Sequence, residues 1–355
     1  MTTQRLSARV GAIAESATMA VTNKARELRA AGEPVIGFGA GEPDFPTPDH
    51  IVAAAVAACE DPVNHKYSAA GGLPELKAAL VEKTQRDSGW RPEVSQVLVT
   101  NGGKHAVYNT CAALLNPGDE VLLPAPYWTT YPECIALAGG TSVVLQTDVA
   151  SGFRVTVDQL EAARTPDTKA LFFVSPSNPS GAVYPADEIR AIGEWAHEHG
   201  IWVIADEIYE HLTYDGHEHH SIRALVPDLA DTCVVLNGVA KTYAMTGWRI
   251  GYTAGPPYLI KAMKKIQSQS TSNPTAIAQK AAQTALNSGT DCLKPMLSAF
   301  ESRHRYVVDR INTIPGLRCI DAEGAFYCLV DATNAMKTLA FDDDVLFSAH
   351  LLEKT

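Results

Sequence analysis

The feature that most constrains this chain is a rhythm of seven short apolar runs between residues 97 and 254, spaced by helix-length segments. The runs cover residues 97–100, 120–124, 142–146, 170–174, 201–205, 233–236 and 250–254. Each is rich in Val, Ile, Leu or Phe and too short for a helix of its own, as expected of strands buried on both faces. Between them lie amphipathic stretches such as 186–199, where Ile189, Ile192, Trp195 and Ala196 share one helical face. Strand and helix in alternation predict an α/β fold. A large domain with a mostly parallel seven-stranded sheet sandwiched by helices is expected over residues 46–295, plus a smaller α/β domain. Residues 1–45 and 296–355 break the rhythm and are assigned to that smaller unit, incomplete at its C-terminal end. A long helical stretch is expected from 256 to about 286.

Bulk properties narrow the function. A net charge of −11, with no block of Lys or Arg, argues against nucleic acid as a partner, because phosphate binding needs a clustered positive field. The first residues lack the apolar core of a signal peptide, and no window approaches the roughly 18 apolar residues of a membrane span. The seven cysteines form no C-x-x-C pair, and most sit in apolar stretches, which suggests reduced, buried thiols and a cytoplasmic protein.

Ligands of such sheets bind beyond the carboxyl ends of the strands, so the residues that follow each run carry the chemistry. Those residues are Asn101-Gly102-Gly103-Lys104, Ser175-Pro176-Ser177-Asn178-Pro179-Ser180-Gly181, Asp206-Glu207-Ile208-Tyr209, and Asn237-Gly238-Val239-Ala240-Lys241 with Gly247-Trp248-Arg249. A lysine at a buried strand end forms an imine with an aldehyde once burial lowers its pKa. A buried carboxylate keeps a pyridine nitrogen protonated and makes that ring an electron sink. A helix start preceded by glycines offers free N–H groups and a positive dipole end to a phosphate, and an arginine adds a bidentate clamp. Taken singly these residues are bland: a surface lysine, a helix N-cap, a turn. Only together do they point to one cofactor.

Together with Gly41-Glu42-Pro43-Asp44-Phe45, Ala125-Pro126-Tyr127-Trp128 and the run from Ala240 to Tyr252, these motifs resemble the fold-type I pyridoxal-phosphate aminotransferases, in particular the bacterial aspartate aminotransferase subgroup. The resemblance extends from about Arg5 to about Leu329. It implies that Lys241 carries pyridoxal 5'-phosphate and shuttles the substrate proton, and that Asp206 pairs with the ring nitrogen. Tyr209 and Asn178 would hydrogen-bond the cofactor's phenolic oxygen, and Trp128 would stack on the ring. Arg249 and the Gly103 and Lys104 backbone would hold the phosphate, joined by Tyr67 from the partner of a homodimer. Gly41 would bind the substrate α-carboxylate, with Trp128 and Asn178 also lining the substrate site. Lys104 and Thr18 match positions that reach a distal carboxylate, which makes aspartate or glutamate the expected donor and a 2-oxo acid the acceptor in a ping-pong transamination. A lyase on the same fold, or a catalytically impaired truncated cofactor-binding protein, is the alternative. Residues 331–355 resemble the family poorly, and no arginine follows Arg318 to clamp the α-carboxylate. No metal is expected: His217-Glu218-His219-His220 reads as a solvated loop, and Gly37-Phe38-Gly39-Ala40-Gly41 lacks the helix of a dinucleotide fingerprint.

Overall fold

A computed structural model describes residues 7–14 and 17–354 of the chain. All seven expected strands are present: β1 (Val97–Thr100), β2 (Glu120–Ala125), β3 (Thr141–Gln146), β4 (Thr168–Val174), β5 (Trp202–Asp206), β6 (Cys233–Gly238) and β7 (Gly251–Ala254). They form one sheet in the order β1-β7-β6-β5-β4-β2-β3. Along β4, β5 and β6 successive side chains enter opposite cores. Ala170, Phe172, Trp202, Ile204, Val234 and Leu236 pack on one face. Leu171, Phe173, Val203, Ala205, Cys233 and Val235 pack on the other. Strand pleating alternates the side chains, so a sheet covered on both faces needs an apolar residue at every position. The runs are continuous for that reason.

Helix Gly103–Leu114, with Pro257–Ser270 beside it, contributes to the first core, and helix Ala186–Glu198 to the second. A third core joins helices Asp49–Glu60, Pro74–Ser88 and Ala276–Asn287 to β1 and β7. The single helix expected from 256 to 286 is two: it stops at Ser270 and restarts at Ala276. Ser272 takes a left-handed φ of 62° there and Pro274 has no N–H to continue the ladder.

Six strands run one way; β7 pairs antiparallel with both β1 and β6, setting Gly251 opposite Thr100 and Gly238. The start of β7 therefore lies at the carboxyl ends of its neighbours, and this brings Arg249, two residues earlier, to the same rim. Beyond the sheet, helix Lys294–Ile311 and the two-stranded sheet of β8 (Arg318–Cys319) and β9 (Val330–Asp331) precede two terminal helices, Thr333–Thr338 and Asp344–Lys354. A fourth core, including Tyr209, Tyr214, Met296, Phe300 and Ala325, fixes this region against the rim.

Candidate active site

The carboxyl end of β5 delivers Asp206 into a buried position. Its Oδ2 accepts from the Tyr131 hydroxyl at 2.8 Å, and its Oδ1 from the Ile208 N–H at 3.1 Å. Burial lifts this carboxyl to about 6, against the opposing pull of those two donors and of Lys241. The turn that follows divides its side chains. Tyr209 comes forward, its hydroxyl 2.5 Å from that of Tyr327. Glu207 and Glu210 point back, to Ser221 at 2.8 Å and to Asn237 and Lys83 respectively.

From the end of β6 the chain turns through Val239 and Ala240 to Lys241, and Ala244 adopts a left-handed φ of 50° as it turns back. The Lys241 ammonium donates to the Gly41 carbonyl and lies 5.2 Å from the Phe326 ring centroid and 5.9 Å from that of Tyr209. Burial draws the amine down to about 8, with the Arg249 charge acting in the same direction and Glu42 and Asp206 opposing. Among the described residues no carboxylate is hydrogen-bonded to it.

At the end of β1, Gly102 has φ +84° and a Cβ there would run into the Arg249 guanidinium. A Cβ on Gly251 would stand 2.5 Å from the Gly102 carbonyl carbon and 2.6 Å from the Gly103 nitrogen. These glycines let β7 and the start of helix Gly103–Leu114 touch backbone to backbone. Arg249, itself at φ 57°, is anchored by a 2.7 Å bond to the Thr246 carbonyl. A Cβ on Gly103 would meet nothing within 4 Å, so the helix start faces open space. Beside it lies a cleft of about 790 Å³ lined by Asn101, Trp248 and Arg249 among others.

Other expected residues gather nearby. Asn178 donates to the Tyr327 hydroxyl at 3.1 Å. Trp128 lies edge-on to Tyr131 with ring centroids 5.4 Å apart, and the Lys104 ammonium is 5.3 Å from the Trp128 ring centroid. Tyr67 joins no such contact among the described residues and is 92% exposed. The Thr18 side chain lies outside the described residues. The site thus unites an amine drawn toward neutrality, a buried carboxyl, three phenols, an amide, and an open glycine-flanked helix start with an arginine over it. This donor set fits pyridoxal phosphate: an amine for its aldehyde, an acid for its ring nitrogen and an anion cradle for its phosphate.

Two side chains at this site were not picked out from the sequence. Tyr131, 75 residues before Asp206, sits in helix Thr130–Leu137 and reads locally as core. Tyr327 bridges Tyr209 and Asn178 from a strap whose Ala325 holds a φ of 62°. Its sequence signal was the Gly324-Ala325-Phe326-Tyr327 string.

One expectation needs correction. His217 and Glu218 are exposed, but the His219 side chain is only 5% exposed and its Nε2 is 3.6 Å from Glu207 Oε2. Glu207, Glu210 and His219 bring ligand atoms within 4.8 Å of one another. The positive charge there comes from Lys83, whose ammonium is bound to Glu210.

Residues 33–354 match the family described as Aminotransferase class I and II. The chain is 60% identical over 326 residues to an aspartate aminotransferase of Streptomyces avermitilis, covering 92% of this chain and 80% of that one. It is 49% identical to an aspartate/prephenate aminotransferase of Cereibacter sphaeroides, covering 99% of this chain and 89% of its relative. Its fold is similar to that of the Thermus thermophilus aspartate aminotransferase solved with maleate: the TM-score is 0.91 at 41% identity, over 99% of this chain and 90% of that one. The similarity therefore does not end near Leu329, as the motifs suggested, but continues through the last helix.

Proposed function

The chain belongs to the aminotransferase class I and II family and is an aminotransferase; from that premise we propose that it moves the amino group of L-aspartate or L-glutamate to a 2-oxo acid through pyridoxal phosphate on Lys241. The observation that carries this reading is the Lys241 amine, drawn to about 8 beside the buried Asp206 carboxyl. When bound, the cofactor supplies an aldehyde to that amine and a ring that withdraws electrons from the substrate Cα.

The chain's own residues do the rest. Lys241 offers a neutral amine as nucleophile and then carries the proton to and from the substrate Cα. Asp206, oriented by Tyr131 and the Ile208 N–H, keeps the ring nitrogen protonated. Tyr209 and Asn178 donate hydrogen bonds to the phenolic oxygen. The Gly103 and Lys104 N–H groups and Arg249 hold the phosphate, a role supported by the glycine-lined helix start beneath the guanidinium. Trp128 covers the ring and, with Asn178, lines the substrate site. Gly41 binds the α-carboxylate, and Lys104 and Thr18 the distal one; for Lys104 the support is its position over Trp128.

The same reading makes the chain a homodimer in which Tyr67 completes the partner's phosphate site, and the tyrosine's 92% exposure supports that. It divides the chain at residues 45 and 295 into a cofactor domain and a smaller one. A cytoplasmic location is supported by seven free cysteines and, among the described residues, by the lack of any helix long and apolar enough to cross a membrane.

The test is the visible absorbance of the purified chain with pyridoxal phosphate, before and after L-aspartate. A yellow band that collapses with aspartate, and is missing in Lys241→Ala, is expected. A band that persists unchanged with both aspartate and glutamate rejects the proposed donors. Release of 2-oxo acid without an acceptor makes the chain a lyase.

A further inference from the structure

Three polar side chains from distant parts of the chain meet at one point. Tyr209 follows β5, Asn178 follows β4, and Tyr327 comes from the strap before β9. Tyr327 is the centre: its oxygen accepts from Asn178 Nδ2 at 3.1 Å and lies 2.5 Å from the Tyr209 oxygen. Its position is tightly fixed. The ring packs against Phe326 at 4.9 Å and Tyr209 at 5.7 Å between centroids. A Cβ on Gly41 would stand 2.7 Å from its hydroxyl.

We propose that Tyr327 is a positioning residue, which holds Tyr209 and Asn178 in place and donates to the Tyr209 oxygen so that the Tyr209 O–H is left free to bind the cofactor. This rests on the reading above, in which Tyr209 and Asn178 serve the cofactor's phenolic oxygen. The direction of the tyrosine–tyrosine bond follows from its neighbours. Asn178 donates into the Tyr327 oxygen, which polarises the Tyr327 O–H and makes it the better donor of the two. Asn178 keeps a second amide N–H for the phenolic oxygen.

A donor on that oxygen draws negative charge from it and weakens its hold on the proton of the nitrogen that links Lys241 to the cofactor. Removing Tyr327 as a donor to Tyr209 therefore raises the pH at which the loaded protein changes colour. The experiment is a spectrophotometric pH titration of the protein loaded with pyridoxal phosphate. Tyr327→Phe keeps the ring packing and is expected to move the colour midpoint upward, in the direction of Tyr209→Phe and by less. In the double variant Tyr327→Phe adds less to Tyr209→Phe than it does alone, because the part that runs through Tyr209 is already lost and only the part carried by Asn178 remains. If Tyr327→Phe does not fold, 3-fluorotyrosine at position 327 keeps the shape and strengthens the donor, and moves the midpoint downward. An unmoved midpoint in folded, loaded Tyr327→Phe overturns the proposal, as does an additive shift in the double variant. Absence of any visible band in the unsubstituted protein defeats the cofactor reading itself and is distinct from either result.

Discussion

Lys83 and Lys241 are the same side chain, each largely withdrawn from solvent, and their surroundings drive them apart. Lys83 reaches from helix Pro74–Ser88 to the turn after β5, bound to Glu210, with Asp87 at 3.8 Å. Burial alone would lower it, but Glu210, with help from Tyr252 and Asp87, outweighs that and fixes it as a cation. Among the described residues Lys241 has only a carbonyl oxygen on its nitrogen, and burial wins. The two lie on opposite sides of one short turn: Asp206 and Tyr209 face Lys241, and Glu210 faces Lys83. A carboxylate in direct contact makes a lysine structural, and one held at a distance leaves it reactive.

The sharpest way to break this contrast is to remove each nitrogen. Lys241→Ala is expected to reduce transamination by on the order of 10⁴-fold or more, since it deletes both the nucleophile and the proton carrier. Its unfolding midpoint should stay at or above that of the parent when both are free of cofactor. Lys83→Met should do the reverse. It leaves Glu210 buried without its cation, a loss of about 3–5 kcal/mol of stability by urea unfolding. Adding Glu210→Met to Lys83→Met should recover much of that, because the orphaned charge goes too. A double variant no more stable than Lys83→Met would mean that the pair is not the source of the loss.

This contrast also marks what was legible in the sequence. The seven strands were, because a sheet buried on both faces leaves no polar interruption, and β4 to β6 show that alternation residue by residue. That Lys241, Asp206, Asn178 and Arg249 would gather at one rim was, because each follows a strand closely or sits in a distinctive string. The antiparallel course of β7 was not, since direction is set by pairing partners and not by local composition. Tyr131 and Tyr327 act across 75 and 118 residues of chain, and His219 is buried by a fold that its own loop does not encode. The broken helix could have been found from Pro274.

Acidity separates the lysines further. Attachment of pyridoxal phosphate needs the neutral amine, so its rate should rise about tenfold per pH unit up to about 8 and then level off. Stopped-flow absorbance measures it, and a rate still climbing at pH 10 would show an ordinary lysine. Stability follows with a definite sign. Between about 8 and the ordinary 10.5 the unfolded chain holds a proton on Lys241 that the folded chain lacks, so the cofactor-free protein gains stability as pH rises through that window. Lys241→Met should remove that gain, and Lys83→Met should leave it.

The smallest effect is expected where a lysine-like cation is paired but not buried. Arg91 meets Glu82 through two bonds, of 2.5 and 2.8 Å. Yet these side chains are 52% and 64% exposed, so water already solvates both charges. Pairing then offsets little more than the entropy of holding two long side chains still. Arg91→Ala should leave the unfolding midpoint within experimental scatter at moderate salt, and the variant and parent should respond alike to added salt. A clear drop that salt abolishes would show that contact geometry alone can stabilise, and that the burial invoked for Lys83 is not required.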